Sequence, residues 1–347
     1  MRIIFDNDTG IDDALALVYL LSRPEVDLAA ITCSAGNVSA EQVARNNLAL
    51  LQLCGRPEVE VAAGASDPLS IPLVTTPETH GEQGLGYAEL AAGSARVSHR
   101  SAVDLWIEEV RNAPGELTAL LTAPLTNFAL ALRRDPELPR LLKRTVIMGG
   151  CYFYQGNTTP TAEWNTHVDP HAAAEVFAAF EGLPEEQLPI VCALETTERI
   201  ELRPAHVARL AQESGCPSEE LLRPEDAPGT RSTASSPLVR FLSDALRFYF
   251  EFHRQYDQGY VAHVHDVFAA AVAAGTVEYR ARPATVHVET APGPLVGTTA
   301  ADYRGLWGRK PNARIVNWND PPAVFDEVLG SIAALARRLD GQAGSVR

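Results

Sequence analysis

Asp6, Asp8, Asp12 and Asp13 crowd four carboxylates into the run Asp6-Asn7-Asp8-Thr9-Gly10-Ile11-Asp12-Asp13. Like charges so close raise one another's pKa unless a cation or hydrogen-bond donors offset them. Ile3-Ile4-Phe5 precedes the run and the apolar stretch Ala14 to Leu21 follows it. The pattern predicts a strand over Arg2 to Phe5, a Gly-containing turn and a helix over Asp13 to Leu21. Asp6 and Asp8 then stand at a strand's carboxyl end, and Asp12 and Asp13 open the helix, at the edge where open α/β sheets bind ligands. Successive helical residues diverge by about 100°, so Asp13 turns toward Asp8 while Asp12 points elsewhere. Oxygen-only ligands suit Ca²⁺ or Mg²⁺ better than Zn²⁺. Capping and dipole complementation account for Asp12 and Asp13 without an ion, but they leave Asp6 and Asp8 unexplained.

Two familiar aspartate motifs do not fit. Counted from Asp6, Gly10 holds the fifth position of an EF-hand loop, which needs Asp or Asn there and Gly at the sixth. The Asp-x-Asp-x-Thr of haloacid-dehalogenase phosphatases would place the threonine one position beyond Thr9. Other polar residues follow predicted strands. Thr122 comes after Leu117 to Leu121, where its carbonyl offers a neutral oxygen, while Pro124 and a Thr126 cap would stabilise the strand-to-helix connection. Asn37 sits beside Gly36 in what reads as a turn. Asn157, Glu163 and Asn165 lie in a Pro-broken segment whose amide and carboxylate groups match a polyhydroxylated ligand. Asp169-Pro170 reads as a helix start. In His263-Val264-His265-Asp266, alternate residues of an extended stretch point oppositely, so the two histidines need not share a role, and Asp266 also suits a helix cap.

Short β-branched runs alternating with longer amphipathic ones must position these groups. Strands are expected over Arg2 to Phe5, Asp27 to Thr32, Val59 to Ala62, Leu117 to Leu121, Thr145 to Met148, Pro189 to Cys192 and Thr285 to Glu289. Helices are expected over Asp13 to Leu21, Ala40 to Leu53, Ala102 to Arg111, Leu125 to Arg133, His171 to Ala179, Pro237 to Arg254, Val267 to Ala274 and Ala323 to Arg338. That alternation implies an α/β fold, a doubly wound, mostly parallel central sheet flanked by helices. No linker divides the chain, so residues 1–340 are expected to form one catalytic domain, with 341–347 a flexible C-terminal tail. Val74 to Tyr87 and Ser214 to Ser236 read as long loops and candidate lids.

Composition narrows the class. With 29 basic against 44 acidic residues, net −15, neither nucleic acid nor an anionic membrane is an expected partner. No apolar run approaches the roughly 18 residues of a membrane helix, and the N-terminus lacks a signal-peptide layout, so a cytoplasmic location is expected. Five cysteines at irregular spacings, with no C-x-x-C, argue for buried free thiols over disulfides or a zinc site.

The word Asp6-Asn7-Asp8-Thr9-Gly10-Ile11-Asp12-Asp13-Ala14-Leu15-Ala16 resembles the signature of the nucleoside hydrolases, calcium-dependent N-ribohydrolases related to the inosine-uridine preferring enzymes. Thr9 stands where that signature usually carries Pro. Further matching words follow in order: Ser34 to Asn37, His80 to Gly86, Thr122 to Asn127, Met148 to Gly150, Gly156-Asn157 through Ala162 to Asn165, Asp169-Pro170, and His265-Asp266. The resemblance implies Ca²⁺, less readily Mg²⁺, held by Asp8, Asp13, Asp266 and the Thr122 carbonyl. It implies Asp12 as the general base toward water, and Asn37, Met148, Asn157, Glu163, Asn165 and His80 as substrate contacts, Glu163 stabilising an oxocarbenium-like ribose. His265 is implied to face the departing base, and its ordinary pKa of about 6.5 would suit proton donation. Tyr249 and His253, four apart on one helical face, with Tyr256 a turn further on, are candidates to assist. The implied reaction is hydrolysis of a ribonucleoside to ribose and free base, with purine, pyrimidine or broad preference open. Relatives' habits imply a homodimer or homotetramer. Two alternatives are a Mg²⁺-dependent phosphohydrolase, for which no G-x-x-x-x-G-K-[ST] loop is present, and a non-catalytic nucleoside or sugar sensor, which would dispense with Asp12.

Overall fold

The computed structural model describes residues 1–216 and 222–344. Strands β1 (Arg2–Asn7), β2 (Asp27–Cys33), β3 (Glu60–Ala63), β4 (Leu117–Leu121), β5 (Arg144–Met148) and β6 (Ile190–Cys192) run parallel. A small antiparallel pair, β7 (Glu201–Leu202) and β8 (Ala262–His263), lies apart from them. β9 (Tyr279–Val288), β10 (Thr299–Asp302) and β11 (Ala313–Asn319) complete a sheet of order β10-β9-β11-β6-β5-β4-β1-β2-β3. β11 pairs parallel to β6, whereas β9 is antiparallel to both β11 and β10. The expected doubly wound, mostly parallel sheet is therefore present, with an antiparallel margin that the sequence pattern did not separate.

Alternation along the strands explains the two-sided core. Ile3 and Phe5 of β1 join one apolar cluster with helices Ile11–Ser22, Pro237–Gln255 and His265–Ala274. Ile4 joins the other with helices Ala102–Asn112, Thr126–Arg134 and Pro170–Ala179. Strands buried on both faces read as continuous apolar runs, and β4, Leu-Thr-Ala-Leu-Leu, is buried throughout. Helices Ile11–Ser22 and His265–Ala274 are buried along their whole length, as expected of helices apolar all round. They pack on each other.

β1 is the switch point. From it, β2 and β3 extend one way and β4, β5 and β6 the other, which opens a crevice at the strands' carboxyl ends. Both fully buried helices begin at the acids Asp12, Asp13 and Asp266, and their positive N-terminal ends face the same crevice.

Several local expectations are corrected. β9 begins at Tyr279 rather than Thr285, despite Pro283; β10 pairs with it only from Thr285, so the missing proline N–H leaves no ladder partner unmet. β10, of sequence Thr-Ala-Ala-Asp, has too little β-branched character to stand out, and it exists by pairing. Helix Thr126–Arg134 has no side-chain cap, and Thr126 Oγ1 instead donates to Asp169 Oδ2 at 2.7 Å. Asp169 caps helix Pro170–Ala179 as expected, accepting from the Ala172 N–H at 2.9 Å. The last helix runs Pro321–Gly344, past the expected domain end at 340, and 345–347 of the expected tail lie outside the described residues. All five cysteines are buried and free. Among the described residues no helix is long and apolar enough to cross a membrane.

Candidate active site

The acidic turn is buried: Asp6, Asp8, Asp12 and Asp13 are each under 5% exposed. Asp6 is held by three donors, Thr32 Oγ1 at 2.5 Å, Ser34 Oγ at 3.0 Å and Asn127 Nδ2 at 2.9 Å. Those bonds tie the end of β1 to β2 and to helix Thr126–Arg134, which gives Asp6 the structural role that sequence reasoning left open. Burial still pushes its pKa up to about 6. Asp8 accepts from the Asn37 N–H at 2.7 Å and from Asn37 Nδ2 at 3.1 Å. Asp13 accepts from the Gly10 N–H at 2.8 Å and from Thr122 Oγ1 at 2.6 Å. Asp12 has no capping role; the N-cap is Gly10.

Asp266, on the neighbouring helix, closes the group. Burial, then the charge of Asp13, pushes Asp12 up to about 7. Burial and the Asp13 charge raise Asp8 well above the usual carboxylate range. Burial followed by Asp12, Asp13 and Asp8 does the same to Asp266. Asp13 is raised by burial, against its hydrogen bonds. Four acids in mutual electrostatic reach cannot all ionise without a compensating positive charge.

Donor chemistry fits a hard divalent ion. Asp8, Asp13 and Asp266 could offer carboxylate oxygens, the Thr122 carbonyl follows β4, and Asn37 Oδ1 is buried without a hydrogen-bond partner. A buried amide oxygen left unpaired is costly unless a ligand meets it. In this structure, among the described residues, no three His, Cys, Asp or Glu side chains converge as an ion cage. Thr122 O accepts from Asn165 Nδ2 at 2.8 Å, and the same amide reaches Met148 O at 3.3 Å. Asn165 thus bridges the ends of β4 and β5.

A cavity of about 330 Å³ opens over this group. Asp12, Asn37, His80, Thr122, Met148, Asn157, Glu163, Asn165, Tyr249, His253, His265 and Asp266 all line it. Asp8 and Asp13 lie beneath, out of its wall. Glu163 caps helix Trp164–Val168, its oxygens taken by the N–H groups of Gly150, Asn165 and Thr166 at 2.9, 2.7 and 3.0 Å. Burial raises its pKa against those three bonds. Asn157 is exposed at the rim.

The opposite wall is imidazole and aromatic. Tyr249 and His253 have ring centroids 4.4 Å apart, as their helical spacing predicts, and His80 lies 5.2 Å from Tyr249. His263 joins them, 4.8 Å from His253 and 6.1 Å from His265. Alternation left His263 and His265 free to take separate roles; β8 ends at His263 and a helix starts at His265, and both residues line the cavity. His265 Nδ1 lies 2.9 Å from Thr197 Oγ1. Burial, reinforced by His263 and His253, holds its pKa well below 6.5. The expected ordinary titration is not met, and the neutral ring offers an N–H donor instead of an imidazolium. Phe252, Trp164, Glu198 and Gln258 also line the cavity. Phe252 was legible as a member of the Tyr249 to Tyr256 stripe; the others carried no periodic signal.

Of the two candidate lids, the Val74 to Tyr87 segment forms cavity wall through Thr76, Glu78, Thr79 and His80. It is pinned by the Thr76 N–H to Asn37 O at 3.1 Å and the Ile11 N–H to His80 Nδ1 at 3.1 Å. In the Ser214 to Ser236 segment, 217–221 lie outside the described residues, and none of the described ones lines the cavity. They pack on helix Pro237–Gln255, for example through Ser232 N–H to Asp244 at 2.6 Å and Arg247 to Asp226 at 3.0 Å.

Residues 3–326 match the family described as inosine-uridine preferring nucleoside hydrolase, and the chain belongs to that family. It is 35% identical over 318 residues to the pyrimidine-specific ribonucleoside hydrolase RihA of Salmonella paratyphi B, covering 91% of this chain and 93% of that one. The purine-preferring ribonucleoside hydrolase from Gardnerella vaginalis is similar in structure, with a TM-score of 0.84 at 28% identity, covering 97% of this chain and all of that one. A plant nucleoside hydrolase, PpNRh1, gives 0.80 at 26% identity, covering 96% and 98%.

Gly36 shows how little room the floor has. A Cβ there would stand 2.1 Å from Asp8 Oδ2 and 2.9 Å from Pro124 Cδ. Gly36→Ala is therefore expected to turn the Asp8 carboxylate and cost roughly 100-fold in kcat/KM, with the far-ultraviolet dichroism unchanged. Wild-type turnover would show that Asp8 tolerates displacement.

Proposed function

We propose that this chain hydrolyses the N-glycosidic bond of ribonucleosides, pyrimidine ribonucleosides before purine ones, by base-assisted attack of water over an ion held by Asp8, Asp13, Asp266 and the Thr122 carbonyl. The observation that carries the reading is the burial of four mutually repelling carboxylates beneath a cavity walled on one side by amides and on the other by histidines and aromatics. The name of the RihA relative supports the pyrimidine preference, while the Gardnerella enzyme, called purine-preferring, keeps inosine on the panel. A volume near 330 Å³ lies at the small end of the roughly 300–1,000 Å³ typical of ligand pockets.

Calcium, magnesium less readily, would supply charge neutralisation for the acids and Lewis acidity toward an oxygen ligand. Asp12 and Asp266 line the cavity where Asp8 and Asp13 do not; with Asp266 assigned to the ion, Asp12 is left to take a proton from water as the water oxygen attacks C1′. Asn37, Asn157 and Asn165 offer amide groups to the ribose hydroxyls. As the C–N bond lengthens, positive charge grows on the ribose, and the buried Glu163 carboxylate stabilises it. His265 donates an N–H to the departing base, with His80, Tyr249 and His253 forming the surface against which the base lies.

A phosphohydrolase reading of the same acids is disfavoured by the wall itself. Among the described residues no Lys or Arg lines the cavity, and a phosphoryl group would have no cationic clamp beyond the ion.

Asp12→Asn, assayed by release of reducing sugar from uridine, cytidine, inosine and adenosine, should keep nucleoside binding and lose on the order of 10² to 10⁴ in kcat. A variant with near-normal kcat would remove Asp12 from proton abstraction, and a wild-type protein releasing no ribose from any of the four would overturn the activity.

His265→Ala should discriminate between leaving groups. It is expected to slow uridine by roughly 10²-fold or more while leaving p-nitrophenyl riboside, whose leaving group needs no donor, within about tenfold. Equal losses on both would reassign His265 to organising the floor and direct the search to Tyr249, His253 and Tyr256.

A further inference from the structure

We infer that Asn46 and Asn47, adjacent on helix Ala40–Leu53, are positioning residues that fix the acidic turn and the His80 loop relative to each other. The inference rests on the proposed ion-dependent hydrolysis and concerns two residues that touch neither the cavity nor the acids. Both are buried, Asn46 at 4% exposure and Asn47 at 1%.

The need for them arises at Thr9. This β-branched residue has φ of +39°, in the left-handed region that such side chains avoid. Proline, which the family signature usually carries here, is locked near −65° and cannot take this conformation. The turn is instead held by side chains. Asn7 Oδ1 accepts from the Thr9 N–H at 3.3 Å and from Thr9 Oγ1 at 2.9 Å. Asn47 Nδ2 then donates to Asn7 Oδ1 at 3.0 Å and to its own helix at Val43 O, 3.1 Å away. Asn47 so anchors the residue that follows Asp8 to a helix of the core.

Asn46 holds the other loop. Its Oδ1 accepts from Gln42 Nε2 at 2.8 Å, which orients the amide, and its Nδ2 donates to Gln83 O at 2.7 Å. The loop closes on itself through the Gly86 N–H to His80 O at 2.7 Å, so fixing Gln83 fixes His80. The two anchored segments also touch. Gly84, at φ +81°, lies so close to the turn that a Cβ on it would stand 2.4 Å from Thr9 O. One helical step therefore sets both the acidic floor, through Asn47, and part of the base-facing wall, through Asn46.

The two positions predict separable effects. Asn47→Leu, which keeps the Cγ branch but not the amide, and Thr9→Val, without the hydroxyl, should each lower kcat on uridine roughly 10- to 100-fold and weaken the rise in melting temperature that added CaCl₂ produces. Thr9→Ser keeps the hydroxyl and should restore both. Asn46→Ala should raise KM for uridine roughly 5- to 10-fold with kcat within about twofold, and leave the calcium response intact. Should Asn47→Leu not fold, Thr9→Val with its Thr9→Ser rescue decides the floor arm. Wild-type kcat, KM and calcium response in the folded variants would overturn the inference. A wild-type protein that hydrolyses uridine without any calcium response would instead refute the ion reading, and the kcat-against-KM separation would still judge the asparagines.

Discussion

Mutual repulsion among buried carboxylates is the constraint on which the rest of the structure depends. Asp8, Asp12, Asp13 and Asp266 are buried, and each is pushed toward protonation, Asp13 by burial alone and the other three by burial together with neighbouring carboxylates. Such an arrangement costs stability unless something offsets it. Part of the offset is built in: hydrogen bonds from Asn37, Gly10 and Thr122, and the N-terminal ends of two helices that begin at the acids. Asn37 Oδ1, itself an acceptor, is left without a hydrogen-bond partner beside them. A protein that retains this tension at the floor of a cavity retains it for chemistry.

The fold makes the tension possible. Helices Ile11–Ser22 and His265–Ala274 are apolar on all sides, so they can lie in the interior side by side and deliver Asp12, Asp13 and Asp266 to one spot although the last is separated from the others by most of the chain. The sheet's change of direction at β1 leaves a crevice there instead of a packed connection. Thr122 comes to the same crevice from the end of β4, and Glu163 and Asn165 from the start of helix Trp164–Val168. The aromatic wall arrives separately, from the end of helix Pro237–Gln255, from β8 and from the His80 loop.

What the sequence made legible follows the reach of each signal. The acidic turn, its flanking strand and helix, and the parallel strands of the central sheet were readable because short-range periodicity determines them. Asp169 read correctly as a cap because the Asp-Pro pair is a local signal. The antiparallel margin was not readable: β10 has almost no β propensity, and β9 starts earlier than its apolar run because Pro283 masks it. Nor was the altered state of His265, which depends on burial, on the nearby His263 and on two histidines, His253 and His80, brought in from other segments. The shared orientation of His263 and His265 turned on a strand ending one residue before a helix begins, a boundary that periodicity does not resolve. Asn46 and Asn47 lie in an unremarkable helical run, and their importance comes from which loops pack above them.

The central claim is that the carboxylates are strained toward protonation until an ion occupies their floor. Calorimetric titration of the ion-free protein with calcium at pH 7, repeated in two buffers of different ionisation enthalpy, measures this directly. One ion should bind per chain with net release of protons, because Asp12, raised to about 7, and the more strongly raised Asp8 and Asp266 must give up bound protons when the ion enters. Calcium that does not bind, or that binds without releasing protons, would contradict the account.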